Sequence, residues 1–333
     1  MPLKLKGLNF VRKKHKIQPQ LTDTNAQNFR TMKKERLLIL SIAMFFSYAI
    51  TSCQQGQRQE ATDLLSDSLV ASDVRLDDRM VGEMISSIPN PVEMSSLLQK
   101  SGVVYSQELL NPVNNVNNYN TNFKRALNLG VYGTDLVYMN IYDRTVATLR
   151  YLSNVRDLAS DLRVEQFFDY ETLNRLSESA RSIDSVLFIT NSGFDRMSRY
   201  LIDQGRSNIA VLISYGTWIE SLYIATNVQT VPPNRDLINI RIGEQKKVLD
   251  NMLLLLHTYR RDPNFVGLIE DLMELKAEFD KVTISYVYAE PTMKEIDGMI
   301  VVVDNSRSEV NISEEIVQAI ADKVSYIRGK IIG

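Results

Sequence analysis

The chain contains few of the residues on which most catalytic and metal sites depend. Its 333 residues include one cysteine, two histidines and one tryptophan. One cysteine excludes an intramolecular disulfide, and so few sulfur and imidazole ligands argue against a zinc site. The sequence also has no glycine-rich phosphate loop, no Gly-x-Ser-x-Gly elbow, no HExxH pair and no EF-hand loop. It therefore predicts no metal and no other cofactor.

The net charge of −2 conceals an uneven distribution of charge along the chain. Ten of the 38 basic residues and two of the 40 acidic residues precede Cys53, which leaves 28 basic and 38 acidic residues from that point onward. This larger part carries a net charge of −10. A negative surface repels nucleic acid and anionic lipid headgroups, so the sequence predicts no nucleic-acid partner.

The amino-terminal region has the features of a secretory signal peptide. A short basic stretch over residues 32–36 precedes 14 mostly apolar residues, 37–50. A helix needs about 20 apolar residues to span a bilayer, whereas signal peptides use shorter runs followed by small residues. We predict a signal peptide over residues 32–52. Because 31 residues would be a long segment before it, we expect translation to begin at Met32 and residues 1–31 to be a misassigned leader.

Ile50-Thr51-Ser52-Cys53 resembles the lipobox of bacterial lipoproteins, in which an aliphatic residue and two small residues precede the modified cysteine. The resemblance implies cleavage between Ser52 and Cys53 and attachment of acyl chains such as palmitate to Cys53. Two or more chains give a stable membrane anchor. Gln54 in place of Asp implies the outer membrane. The absence of an acidic cluster after Cys53 favours the periplasmic face, with the cell surface as the alternative. The competing interpretation of Cys53 is a buried structural cysteine.

Residues 53–91 are polar, acidic and poor in aromatic residues, which is typical of a flexible tether. We expect the tether to end at Pro89-Asn90-Pro91, because each proline disfavours helical geometry in the residue before it. Within the tether, Asp67-Ser68-Leu69 resembles the O-glycosylation acceptor of Bacteroidota, so Ser68 is a candidate glycosylation site. Ser185 matches the same pattern but lies in a predicted helix.

From residue 92 to residue 333, apolar residues recur every three or four positions, which predicts a mainly α-helical domain built as a multi-helix bundle. Residues 208–228 are apolar on nearly every side, which is typical of a central helix. Residues 236–288 carry two helical stripes on either side of 260–264, and we predict an antiparallel αα-hairpin. Residues 299–303 and 309–312 predict a short β-hairpin near the C-terminus, followed by a closing helix.

Two local features within this domain suggest further structure. Gly130 is predicted to end a helix that begins near residue 119, with the next helix covering residues 134–161. The triplet Tyr132-Gly133-Thr134 recurs at residues 215–217, and glycine at both places predicts close helix crossings. The repetition is either an internal duplication or a coincidence.

The segment NVNNYNTNFKRALNLGVYGTDLVYMNIY at residues 115–142 and the tail VSYIRGKIIG resemble an uncharacterised family of helical Bacteroidota lipoproteins. The resemblance covers roughly residues 92–333. It implies a helical, membrane-anchored protein, and it supplies no activity to carry over to this chain.

Candidate catalytic residues are few after signal cleavage. His257 is the one remaining histidine, and on a bundle helix it is more typical of a core position than of a general base. Four acids form a close group that we interpret as a solvated helix face: Glu270, Asp271, Glu274 and Glu278. The asparagine-rich residues 111–118 are predicted to form a loop that caps helix ends, with ligand binding as the alternative. No catalytic residue is assigned.

These observations predict a lipid-anchored envelope protein that acts as a periplasm-facing binding or scaffold component at the outer membrane, without catalysis. Its expected partners are the membrane, through the lipid, and an envelope protein or peptidoglycan. The alternative is a carboxylate-dependent hydrolase of envelope glycans. Two acids with raised pKa values that face one deep cleft would favour the hydrolase, whereas a closed aromatic-lined cavity would favour small-molecule capture.

Overall fold

A computed structural model describes residues 76–167, 183–228, 234–296, 299–303 and 307–333. The predicted signal peptide, the Ser52–Cys53 cleavage site, the lipid attachment at Cys53 and the glycosylation site at Ser68 lie outside these residues and stay predictions. The described residues are mainly helical, with two small two-stranded antiparallel sheets near the C-terminus, so the predicted fold class is confirmed.

The described elements follow in chain order. The helices are α1 (Asp78–Ser86), α2 (Pro91–Lys100), α3 (Asn122–Ile141), α4 (Thr145–Asp161), α5 (Ile183–Asp203), α6 (Ser207–Asn227), α7 (Asn234–Thr258), α8 (Pro263–Phe279) and α9 (Glu314–Ile332). The strands are β1 (Thr283–Val287), β2 (Thr292–Ile296), β3 (Met299–Val303) and β4 (Arg307–Asn311). Short 3-10 turns lie at Gln107–Leu109, Val113–Asn118 and Glu165–Phe167.

The helical domain begins earlier than the composition suggests. Residues predicted as the end of the tether form α1, which is capped by the Asp77 side chain and buries Val81 completely. The apolar residues Val81, Met84, Ile85 and Ile88 are spaced three or four apart, which gives this short segment one face to bury. The prediction of a tether up to residue 91 was therefore wrong for this segment.

Helix α6 lies at the centre of the bundle, as predicted, and it crosses α3 with the two backbones in direct contact. A Cβ atom on Gly216 would lie 2.0 Å from the backbone oxygen of Leu127, and one on Gly130 would lie 2.2 Å from the oxygen of Ile213. Only glycine permits backbones to approach this closely. Gly130 therefore serves a crossing inside α3 and does not end a helix, which corrects the predicted boundary. Helix α3 instead ends before Asp143, a residue with a positive φ of 58°.

Helices α7 and α8 form the predicted antiparallel αα-hairpin. Lys276 on α8 pairs with Asp250 on α7 at 3.3 Å, while Lys246 donates to the backbone oxygen of Val282 just beyond α8 at 3.0 Å. Positions later in α8 thus face positions earlier in α7. Leu249 and Leu272 are both fully buried. The hairpin ends sooner than predicted, because the β-favouring sequence from Thr283 onward forms β1.

The strands pair differently from the prediction. Strand β3 pairs with β2, from Met299 opposite Ile296 to Val303 opposite Thr292, and β4 pairs with β1. The predicted pairing of 299–303 with 309–312 was wrong. The local signal for the observed pairing is Asp-Gly at residues 297–298, since this dipeptide favours a two-residue hairpin turn. Strand β4 packs on α7, where the side chain of Val310 approaches Gly243.

Candidate functional site

A groove of about 970 Å³ lies on one side of the bundle. One wall comes from α1 and the elbow between α1 and α2, and the other wall comes from α5. The floor comes from α3 and α6. Its described apolar lining consists of Ile85, Ile88, Pro89, Pro91, Val137, Phe194, Ile202 and Ile213. We call this cavity the α1–α5 groove.

Small residues and inward-turned hydroxyls shape the floor of the α1–α5 groove. Gly133 has no side chain, and a Cβ there would lie 2.4 Å from the ring of Phe194. The hydroxyl of Thr134 donates to the oxygen of Gly130 at 3.0 Å, and that of Ser214 donates to Ala210 at 2.9 Å. Since these hydroxyls donate to backbone oxygens of the bundle, Thr134 also to that of Thr217 at 3.3 Å, the floor offers a ligand mainly apolar contact.

The rim of the groove is charged, with more acids than bases. Among the described lining residues, Glu83, Glu93 and Asp195 are acids and Arg199 is a cation. All four are exposed, and Glu83 pairs with Arg79 at 3.0 Å. Within the described ranges, no group of three or more His, Cys, Asp or Glu side chains is placed to hold a metal ion.

On the opposite side of α3, the bundle buries an ionic network. Arg328 on α9 donates from Nε to Glu220 Oε2 at 2.7 Å and from Nη2 to Glu220 Oε1 at 2.8 Å. This bidentate geometry is the strong form of an Arg–carboxylate pair. The guanidinium also donates to the backbone oxygen of Leu109 and lies 4.0 Å from the ring centroid of Tyr223. Glu220 is completely buried.

A second carboxyl group, Asp135, shares this interior. Burial raises the pKa of Asp135 well above its usual value, and the neighbouring Glu220 raises it further through its charge and a hydrogen bond between the two carboxyl groups. Asp135 Oδ2 accepts the backbone N–H of Asn111 at 3.0 Å, while Oδ1 accepts no hydrogen bond from the residues described. The raised pKa favours the protonated form of Asp135, next to the ion pair of Arg328 and Glu220.

Asn111 connects this network to the loop that covers it. Its amide nitrogen donates to the hydroxyl of Tyr119 at 2.9 Å, and its backbone oxygen accepts from Tyr151 at 2.9 Å. Tyr132 donates to the oxygen of Pro112, and Asn154 donates to that of Val113. Burial raises the pKa of both Tyr119 and Tyr151, so their hydroxyls stay protonated at neutral pH. The loop is thus fixed to the bundle by interior side chains.

The asparagines at residues 111–118 do not cap helix ends as predicted. Asn111 and Asn115 bond to each other at 2.8 Å, and Asn117 donates to Asn114 within the loop. The C-terminus of α9 is instead capped by residues outside the loop, because Asn128 and Tyr119 donate to the backbone oxygens of Ile331 and Ile332.

The sequence-based catalytic candidates lie apart from both the groove and the buried network. His257 is half-buried on α7, and burial, followed by the charge of Arg260, lowers its pKa. Neither ring nitrogen has a hydrogen-bond partner among the described residues. The imidazole is therefore neutral at pH 7, and nothing at this position assembles it with a nucleophile.

The acidic group on α8 is largely an ion-paired surface. Lys323 pairs with Glu274 and Lys330 pairs with Asp271, each at 2.7 Å. Glu278 pairs with Lys281. Asp271 is buried, so the interpretation as a solvated face was wrong for this one residue.

Sequence reasoning missed Asp135, Glu220 and Arg328. A signal was available for two of them, because Asp135 and Glu220 are isolated acids inside otherwise apolar helical stretches. Such residues are almost never fully buried unless they are paired. No local feature identifies Arg328 as their partner, since it lies 108 residues from Glu220.

No protein family, curated protein or solved structure matches this chain. Within the described ranges, α6 is the one helix that is long and apolar enough to cross a membrane, with a mean hydropathy of 1.3 over its most apolar stretch. However, 72% of that stretch is buried against the rest of the protein. A central helix of a bundle accounts for α6.

Proposed function

We propose that this protein is a lipid-anchored, periplasm-facing binding or scaffold component of the outer membrane, and that the α1–α5 groove is its binding site. The observation that carries the proposal is the separation of the buried acids from the groove. Asp135 and Glu220 are completely buried, and neither lines the groove. The groove itself presents apolar walls, which suit recognition of another molecule.

A carboxylate-dependent hydrolase is the alternative function. It requires two carboxyl groups placed on either side of the bond to be cleaved, with room for the sugar between them. Both carboxyl groups of the buried network are held by interior hydrogen bonds, and one of them is bound on two sides by Arg328. A substrate would have to displace this pairing. Of the acids that do reach the groove, Glu93 and Asp195 are the two to test.

The membrane anchor is tested by metabolic labelling with an alkyne analogue of palmitate. We expect the full chain to take up the label and to sediment with outer membranes. Cys53→Ala should remove the label and release the protein from that fraction, whereas Ser52→Ala, which keeps a small residue at the cleavage site, should retain it. Labelling that persists in Cys53→Ala would contradict the anchor.

The binding role is tested by crosslinking in intact cells, with a photoreactive residue at Ser198 in the groove and, as the control, at Gln318 on α9. We expect a discrete crosslinked envelope component from Ser198 alone. The purified full chain should not hydrolyse peptidoglycan. Turnover that disappears in Glu93→Gln or Asp195→Asn, while Glu270→Gln stays active, would overturn the binding role in favour of the hydrolase.

A further inference from the structure

We propose that the α1–α5 groove binds an amphipathic helix with a positively charged polar face, supplied by another protein of the envelope. This inference rests on the proposed function, because it names the chemistry of the partner that the groove takes. Three properties of the groove support it: the position of its apolar side chains, its dimensions and the charge of its rim.

The apolar side chains lie in two facing rows. Ile85 and Ile88 are on one wall, and Phe194 and Ile202 are on the other, all of them half-buried. Rows of this kind fit the ridge of an apolar helix face, whose side chains recur every three or four residues. The inward-turned hydroxyls of the floor offer few hydrogen bonds, so an extended peptide, which needs backbone partners, fits less well.

The dimensions match about two turns of helix. Residues 194–202 of α5 line the groove, and at 1.5 Å per residue they extend about 12 Å. A helix about 10 Å across and of this length occupies on the order of 900 Å³, which is close to the 970 Å³ of the groove. The groove narrows at one end, where Ile202 lies 3.4 Å from the position of a Cβ on Gly82.

The negative charge of the rim favours a partner whose polar face is positively charged. Among the described residues of the rim, Glu83 is paired with Arg79, and Glu93 and Asp195 are opposed by Arg199, which leaves a net charge of −1. Complementary charge around an apolar contact steers association and disfavours wrong partners. Lys or Arg residues beside the apolar face of the partner would meet these acids, whereas Asp or Glu residues there would be repelled.

The test uses the full acylated chain in nanodiscs of zwitterionic lipid and a labelled 14-residue Leu/Lys peptide of helical period. Fluorescence polarisation measures binding, with empty nanodiscs subtracted. We expect saturable binding that weakens at least tenfold in Ser198→Trp, which fills the groove, and is unchanged in Ser198→Ala. Asp195→Lys should weaken binding at least fivefold, and Glu270→Lys, the same charge reversal on α8, should not. Circular dichroism checks that each variant is folded.

Two comparison peptides make the proposal falsifiable. A scrambled peptide of the same composition and a Leu/Glu peptide should each bind at least tenfold more weakly. Equal binding of either peptide, no saturable binding, or binding that is indifferent to Ser198→Trp would overturn the proposal. So would groove-dependent binding of labelled palmitate in place of the peptide, which would indicate a lipid occupant. If the Leu/Lys peptide does not bind while crosslinking from Ser198 still recovers an envelope component, the result contradicts this inference and leaves the proposed binding function supported.

Discussion

The two sides of helix α3 show how one element takes part in two different environments. Asn128, Tyr132 and Asp135 are spaced by four and three residues and face the sealed polar interior. Gly133 and Thr134 line the open groove. Because successive residues of a helix are rotated by about 100°, Thr134 and its neighbour Asp135 end in these opposite environments. Adjacent positions in the sequence therefore have unrelated roles.

The two sides also differ in how their polar groups form hydrogen bonds. On the sealed side, large polar side chains satisfy one another, and the loop at residues 107–118 excludes water from them. On the groove side, hydroxyls donate to backbone oxygens, and Gly133 makes room for the ring of Phe194. We therefore expect substitutions on the sealed side to cost folding stability and substitutions in the groove to affect binding.

The largest effect is expected from Arg328→Met. Removing one partner of a buried ion pair leaves the other without compensation, and it costs about 3–5 kcal/mol of unfolding free energy. Lys323→Met is the control on the same helix, because its pair with Glu274 is exposed and screened by water, so we expect a much smaller loss. Urea unfolding followed by circular dichroism measures both variants. Equal losses would mean that the buried network contributes no more than a surface pair.

The second test concerns the crossing that supports both sides. Gly216→Ala should lower the unfolding free energy by about 3 kcal/mol, because its Cβ would overlap the backbone of α3. Gly267→Ala is the matched control. Its Cβ would meet no atom within 4 Å, so the substitution should stabilise α8 by about 0.5–1 kcal/mol. Thermal unfolding that shifts in the same direction for both variants would contradict the close crossing.

A pH series separates the protonated carboxyl from the ion pair beside it. Because the folded-state pKa of Asp135 lies above its unfolded value, the folded chain keeps a proton that the unfolded chain releases above about pH 4. Its stabilising effect is complete below that pH and is lost as the pH rises towards the folded pKa.

Asp135→Asn mimics the protonated acid. It should therefore raise stability at pH 7–8 and remove a slope of up to about 1.4 kcal/mol per pH unit. Asp157→Asn, at an exposed acid of α4, serves as the control. Urea unfolding between pH 5 and pH 8 measures the slope. A variant with the slope of the original chain would show that Asp135 is ionised in the fold.

The smallest effect is expected from Tyr119→Phe, which removes a hydroxyl that donates to Ile332 and accepts from Asn111. The loss should be about 1 kcal/mol. Tyr326→Phe, at an exposed tyrosine of α9, should change stability by less than about 0.5 kcal/mol. Hydrogen exchange at the C-terminus of α9 adds a local readout. Unchanged protection there in Tyr119→Phe would argue against this cap.

The sequence by itself determined the local structure where a long periodic pattern or a cap was present. The two stripes on either side of residues 260–264 predicted the αα-hairpin, and the uniformly apolar residues 208–228 predicted the central helix. These features depend on residues within a few turns of each other, so the sequence contains nearly all the information.

Where a local signal permitted two structures, tertiary packing decided between them. Gly130 is compatible with a helix end and with a helix crossing, and only the presence of α6 distinguishes the two. Helix α1 has nine residues, too few for its single apolar face to stand out from a polar tether.

The candidate site was decided by tertiary structure alone. The walls of the groove, at Ile85 and Phe194, are more than a hundred residues apart, as are Glu220 and Arg328. Backbone periodicity fixes which face of each helix is apolar, and it does not fix which helices meet. Which faces pack together depends on the free energy of the whole core. That free energy includes both the burial of apolar side chains and the pairing of buried charges.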